Sequence, residues 1–253
     1  MTASAMAPRS LSPAEQRLGG LVALAARILS DAGHDDFNQG QVSARLPGSD
    51  RLLIKNALIG FEDCTPDTVV AAPLDPSAPP PATAPPELVL HQAVYAARPD
   101  VQAIVHSHAP HTLVFGATDL ELRPLSHDGA FFADRLPRFV SSSRTILDLP
   151  EATAVAGALG DTPGVLLRNH GGVTVGRSVR HATVFACLLE RACRLQLLAE
   201  STGHPYHWSS ASDVEAKRRF NFADLSVRSY WDHSAARVRR AHPAAASWGE
   251  VRR

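Results

Sequence analysis

Twelve histidines stand among the 253 residues of this chain, and three of them sit where sites are commonly built. His106 and His108 lie two residues apart at the end of a short run, Val101 to Val105, that reads as a β-strand. Side chains at i and i+2 of a strand point to one face, so both imidazoles face the same way. His170 ends a second apolar run, Val165 to Leu167, and is followed by Gly171 and Gly172. Glycine there lets the backbone turn tightly and leaves room beside the ring. If the two strands are neighbours, the three imidazoles converge. Three protein ligands with a vacant position form a catalytic divalent-metal site, which acts as a Lewis acid on a substrate oxygen.

Helices and strands alternate around these residues. Ser12-Pro13-Ala14-Glu15 reads as a capping box opening a helix, with Leu18, Leu21, Leu24 and Ile28 as its core stripe and Gly33 as its stop. Three β-like pieces follow, Gln41 to Leu46, Arg51 to Ile54 and Thr68 to Ala72. The Pro-rich stretch 73–86 is expected to be an extended loop. A second helix is expected from Pro86 or Glu87 to Ala97, a third from Asp148 to Gly160, and a long one from Ser178 to Thr202. The spacing also predicts helix over 212–240, with fraying in the last ten residues. Val173 to Val175 is read as continuing the Val165–Leu167 strand. Residues 1–10 read as a disordered lead, 11–240 as one α/β domain and 241–253 as a C-terminal tail.

Composition narrows the function. Lys+Arg and Asp+Glu are 25 each, a balance that argues against nucleic acid and against a polybasic membrane patch. Three cysteines with no CxxC spacing suit a reducing compartment. Met1 to Ser10 lacks an apolar signal core, and the run Leu21 to Ile28 is too short to span a bilayer. The expectation is a cytoplasmic protein.

Three blocks, Glu87-Leu-Val-Leu-His91, Val105-His-Ser-His-Ala-Pro110 and Leu167-Arg-Asn-His-Gly171, resemble the class II aldolase/adducin family, as do Gly176 and a following helix carrying Glu190. The resemblance runs over roughly residues 12 to 205. It implies a three-layer α/β/α fold with a mostly antiparallel central sheet, and a homotetramer with active sites between subunits. It implies His106, His108 and His170 as ligands of one divalent metal per subunit. Zinc and manganese are favoured and iron or cobalt remain open, since affinity order does not choose among them. Glu87 matches the family's acidic residue near the metal. A carboxylate there suits proton transfer once burial raises its pKa; a helix-start carboxylate that merely serves the macrodipole is the alternative. His91 lies one turn later on the same face.

Departures from the pattern point to the substrate. Phosphate-using relatives carry Gly-Asn-x-Ser and Thr-Pro-Ser-Gly turns and a Ser pair before the acidic residue. Here the corresponding segments are Gly40-Gln41-Val42-Ser43, Lys55-Asn56-Ala57-Leu58 and Pro85-Pro86. The prolines have no hydroxyl and no N–H, so most of a phosphate cradle is missing. Lys55, Gln41, Arg168 and Asn169 are the candidate substrate contacts, with Arg168 expected on the side of His170 by strand alternation. His127, in a polar loop, is a candidate proton donor. Tyr230 is a candidate cover for the site, whereas Trp231 suits core packing.

The expected activity is decarboxylation of a small hydroxy-aromatic or β-oxo carboxylic acid. The alternatives are retro-aldol cleavage of an unphosphorylated hydroxy-oxo acid, Fe(II)-dependent oxygenation of an aromatic acid, and a non-catalytic adducin-like interaction module. The remaining histidines, His34, His111 and His181 among them, read as scatter.

Overall fold

The computed structural model describes residues 12–250, so the expected disorder of residues 1–10 lies outside the described residues. Helix α1 (Pro13–Asp31) opens on the expected box: Ser12 Oγ accepts from the Glu15 amide, and the Glu15 carboxylate accepts from the Ser12 N–H at 2.7 Å. Strands β1 (Gln41–Arg45), β2 (Arg51–Lys55) and β3 (Val69–Pro73) form an antiparallel meander. Helix α2 (Leu88–Ala97) leads into β4 (Ala103–Ser107), which pairs antiparallel with β1. Two short helices, α3 (Pro110–Ala117) and α4 (His127–Phe132), and the two-residue strand β5 (Arg138–Phe139) follow. Then come α5 (Leu149–Leu159), β6 (Gly164–Leu167), β7 (Gly171–Gly176) and α6 (Val179–Ser201). Helices α7 (Ala211–Asn221) and α8 (Asp224–Ala241) close the order.

The seven strands form one mixed sheet in the order β3-β2-β1-β4-β7-β6-β5, antiparallel except between β5 and β6. Alternation divides its side chains between two cores. Val42, Ala44, Leu53 and Val105 pack with α1, α6 and α8 on one face, whereas Leu52, Ile54, Ile104 and Val173 pack with α2 and α5 on the other. With both faces covered by helices, the strand interiors are largely buried and apolar, with most polar side chains gathered on β1 and at the strand ends. The α/β layering and mostly antiparallel sheet match the expectation.

Four local readings change. Val173–Val175 does not continue β6; it belongs to β7, which turns back antiparallel on β6 with Leu167 opposite Gly171. The helix expected over 212–240 is two helices, α7 and α8. His127 lies in the first turn of α4, not in a loop, because Ser126 Oγ caps that turn through the Gly129 amide. The C-terminal segment does not fray through residue 250: Ala245 is fully buried, and Trp248 packs on the α1 core beneath Arg27. No helix among the described residues is long and apolar enough to cross a membrane.

Candidate metal centre

The site forms where β4 and β7 meet the start of α2. His106 is opposite Val173 in the β4–β7 ladder, and His170 immediately precedes β7. The two histidine segments are therefore neighbours through β7. Asn169 adopts a left-handed φ of 56° and folds the chain back, so that His170 faces His106. Gly171 is required at the next position, since a Cβ there would lie 2.4 Å from the Ser107 carbonyl oxygen. The three imidazole centroids form a nearly equilateral triangle, with sides of 5.1, 5.0 and 5.2 Å.

Glu87 completes the group. Its backbone caps α2, but its carboxylate makes no capping bond to that helix. One oxygen, Oε1, accepts from the Ile146 amide at 3.0 Å and lies 3.4 Å from His170 Nε2; Oε2 lies 3.2 Å from His106 Nε2. Ligand atoms of Glu87, His106, His108 and His170 all fall within 4.8 Å of one another.

The outer nitrogens show what this group is built to hold. His106 Nδ1 lies 3.1 Å from the Gly172 carbonyl oxygen, and His108 Nδ1 lies 2.8 Å from the Asp36 carboxylate. An Nδ1–H donating outward leaves the Nε2 lone pair facing inward, the arrangement of metal-ligating imidazoles. Nε2 of both His106 and His108 is buried without a hydrogen-bond partner. Buried polar atoms are normally paired. Two converging orphans beside a carboxylate and a third imidazole fit a divalent cation with nitrogen and oxygen ligands.

The lowered values of His108 and His170 agree with that fit, and the Glu87 carboxyl reverses one expectation. Burial alone would push the Glu87 carboxyl up, but His106, the Ile146 amide and His170 together hold it well below the usual carboxylate range. It is a carboxylate, not a stored acid. Burial, reinforced by His106, lowers His170 to about 4 and also lowers His108. Burial opposes protonation of His106 too, but Glu87 outweighs it and raises that group.

Gln41 belongs to the site: its Nε2 donates to Glu87 Oε2 at 3.4 Å, and its Oε1 is buried and unpartnered. Ser43 and Arg45 share the Gln41 face of β1 and meet the same face of α2. Ser43 Oγ lies 2.7 Å from His91 Nδ1 and 2.9 Å from Tyr95 Oη, and Arg45 donates to the Tyr95 carbonyl oxygen at 2.7 Å. Two strand residues advance about 6.7 Å and four helical residues about 6 Å, so the pairs stay in step. This polar ladder seats Glu87 at the sheet's end.

Three expected substrate contacts do not reach the cluster. Lys55 shares the parity of Leu53, so it faces the α1 side of the sheet, away from Glu87. Its ammonium is fully buried and donates to the carbonyl oxygens of Asn38, Asn56 and Ile59. Arg168 lies beyond the end of β6, where alternation no longer governs direction, and its guanidinium pairs with Asp119. Tyr230 is 40% exposed and lines a surface groove with Ile28, Val184 and Leu188. His127 is exposed at the start of α4 and is not among the converging residues; Asn169 contributes its backbone turn.

Some histidines first read as scatter have work in the fold. His34 is buried with Nδ1 2.9 Å from Ser107 Oγ, His181 lies 2.8 Å from Ser178 Oγ, and His111 lies 2.6 Å from the Glu190 carboxylate. Glu190 also accepts from the Thr112 amide and hydroxyl, which closes the first turn of α3. Asp36 was not marked by any sequence pattern, and only the fold of the loop after α1 brings it to His108.

Residues 21–197 match the family described as Class II Aldolase and Adducin N-terminal domain, and the chain belongs to that family. Its relatives include decarboxylases. Decarboxylase NovR of Streptomyces niveus is 34% identical over 116 residues, which are 46% of this chain and less than half, 43%, of NovR. The 3,4-dihydroxyphthalate decarboxylase of Arthrobacter keyseri is 28% identical over 240 residues, covering 87% of this chain and 93% of that one. Among solved structures, an aldolase II superfamily protein from Pseudomonas syringae superposes with a TM-score of 0.83 at 27% identity, over 93% of this chain and 97% of its own.

Proposed function

We propose that this protein is a divalent-metal-dependent decarboxylase of a small hydroxy-aromatic or β-oxo carboxylic acid. The observation that carries the reading is the convergence of the His106, His108 and His170 imidazoles on the Glu87 carboxylate, with His108 Nε2 buried and unpartnered. A divalent ion held there, zinc or manganese by preference, would supply positive charge beside the substrate oxygen on which charge develops as CO2 leaves. Glu87, held as a carboxylate, takes the proton of the substrate hydroxyl and returns it to carbon. Gln41 keeps that carboxylate oriented through its side-chain amide. His127 is the second candidate donor, brought in by a neighbouring copy if the protein is the homotetramer its family resemblance implies.

Lack of a phosphate cradle supports a carboxylate substrate. The segment after β2 is tied to the loop before β1: Asn38 donates to the Ala57 carbonyl oxygen, and Lys55 holds the carbonyls of Asn38, Asn56 and Ile59. The dihydroxyphthalate decarboxylase relative, matched over most of both chains, supports the same class. A cytoplasmic setting suits three free cysteines.

The test is CO2 release from a panel of hydroxy-aromatic and β-oxo acids, with metal-free and metal-reconstituted protein. Metal-dependent CO2 release from at least one acid is expected. Aldehyde formation without CO2 would show aldol cleavage instead, and oxygen uptake with Fe(II) would show oxygenation. Protein that binds no metal with all three histidines intact would point to an interaction module.

A further inference from the structure

A cavity of about 590 Å³ opens on the far side of α4, and it shares no residue with the histidine cluster. That volume is in the range of small-molecule sites. Its exposed lining is mixed polar and apolar, over a floor of buried side chains that includes Phe115, Phe132, Leu166 and Val214. Four guanidiniums line it, those of Arg123, Arg135, Arg138 and Arg218, against two carboxylates, Glu121 and Asp134.

Two of these arginines, Arg138 and Arg218, are held but not neutralised. Arg138 donates to the Phe115 and Leu120 carbonyl oxygens, and Arg218 donates to those of Ala130 and Ala133. Carbonyls fix a guanidinium without cancelling its charge. Each guanidinium carries five N–H donors, so both keep donors to offer, and Arg138 Nε is buried with no partner. The Arg135 guanidinium has no ion pair or hydrogen bond among the described residues, its backbone N–H alone donating to the Phe132 carbonyl oxygen. Arg123 pairs with Glu121 at 3.3 Å and stacks over the half-exposed Trp208 indole at 4.9 Å. A surplus of positive charge around a hollow edged by an exposed indole is complementary to one kind of small molecule.

We infer that this cavity is a second binding site, for a small aromatic carboxylate whose ring lies against the exposed Trp208 indole and whose carboxylate meets Arg135 and Arg138. Planar guanidiniums are suited to carboxylates because their paired N–H groups match the two oxygens. The cavity wall includes α4, whose Ala130 and Ala133 carbonyls are gripped by Arg218, so an occupant would also bear on the helix that begins at His127.

The test is calorimetric titration of phthalate into full-length protein freed of metal by chelation, and again into its His170→Ala variant. Saturable one-site binding that survives in the variant is expected. Arg135→Ala and Trp208→Ala, both at exposed positions, should each weaken it about tenfold, as expected for loss of a charged hydrogen-bond partner or an aromatic contact. Succinate, with the charge but no ring, should bind at least tenfold more weakly than phthalate. The inference is overturned if phthalate does not bind, including because a second copy of the chain covers the cavity. It is equally overturned if binding is lost in His170→Ala while the two cavity variants bind as wild type.

Discussion

Two strand ends in this molecule each bury charged or ionisable side chains, and they resolve the burial differently. At the end of β2 the Lys55 ammonium donates to three carbonyls and none of its N–H groups is left over. At the end of β4 the outer nitrogens of His106 and His108 are committed to Gly172 and Asp36, while inside, His108 Nε2 has no partner and His106 Nε2 faces only the Glu87 carboxylate. The difference teaches that burial of a charge does not mark a site; a buried atom left open after its neighbours have been satisfied does. Lys55 is tied into the fold, and the histidine triangle has the donor set that the proposed cation site requires.

The contrast can be broken or sharpened by substitution. Glu87→Gln keeps the shape but removes the proton carrier, and CO2 release should fall by about 10²- to 10⁴-fold, the usual worth of general acid–base catalysis; retention of full activity would remove Glu87 from the chemistry. Lys55→Met should act on stability alone. It strips the donor from three carbonyls and should cost about 2–3 kcal/mol in urea unfolding, with metal content per folded chain unchanged. A Lys55→Met protein as stable as wild type but poor in substrate binding would return Lys55 to the site.

Acid should test the buried histidines outside the triangle. Burial lowers His34 to about 4 and His91 to about 3 from an ordinary value of 6.5. Above pH 6.5 both are neutral in folded and unfolded chains. Below it the unfolded chain takes up protons that the fold refuses, so stability should fall as pH drops from about 6.5 towards 4. Urea midpoints at pH 7.5, 5.5 and 4.5 measure this, and the slope should flatten in His34→Gln. Asp36→Asn should weaken metal affinity about 10- to 100-fold by loosening His108, read by competition with a chelating dye. Arg168→Ala, at a half-exposed surface pair, should change stability by under about 1 kcal/mol and leave metal content intact.

Much of the scaffold was legible in the residues. Ser12-Pro13-Ala14-Glu15, Asp148 and Ser178 mark helix starts through side chains that bond the first turn, and they do so in the structure. The histidine pair was legible because two-residue spacing in a strand fixes a common face. Its partner His170 was legible as a position but not as a neighbour, since the turn through Asn169 and the pairing of β7 with β4 are tertiary facts. The direction of Lys55 was hidden because Leu52-Leu53-Ile54 is buried on both sides of the sheet and shows no alternation to count from. Arg168 was misplaced because strand parity stops at Leu167. Helices α3 and α4 are too short to show an apolar stripe. The lowered pKa of Glu87 depends on His106 and His170, which lie 19 and 83 positions away in sequence.

The central claim is that His106, His108, His170 and Glu87 hold one divalent cation. Elemental analysis of purified protein, after dialysis against metal-free buffer and reconstitution with zinc or manganese, tests it most directly. The account predicts about one ion per chain in the wild type and less than about a tenth of that in His106→Ala and in His170→Ala. Wild-type protein that retains no ion, or variants that retain a full equivalent, would contradict it.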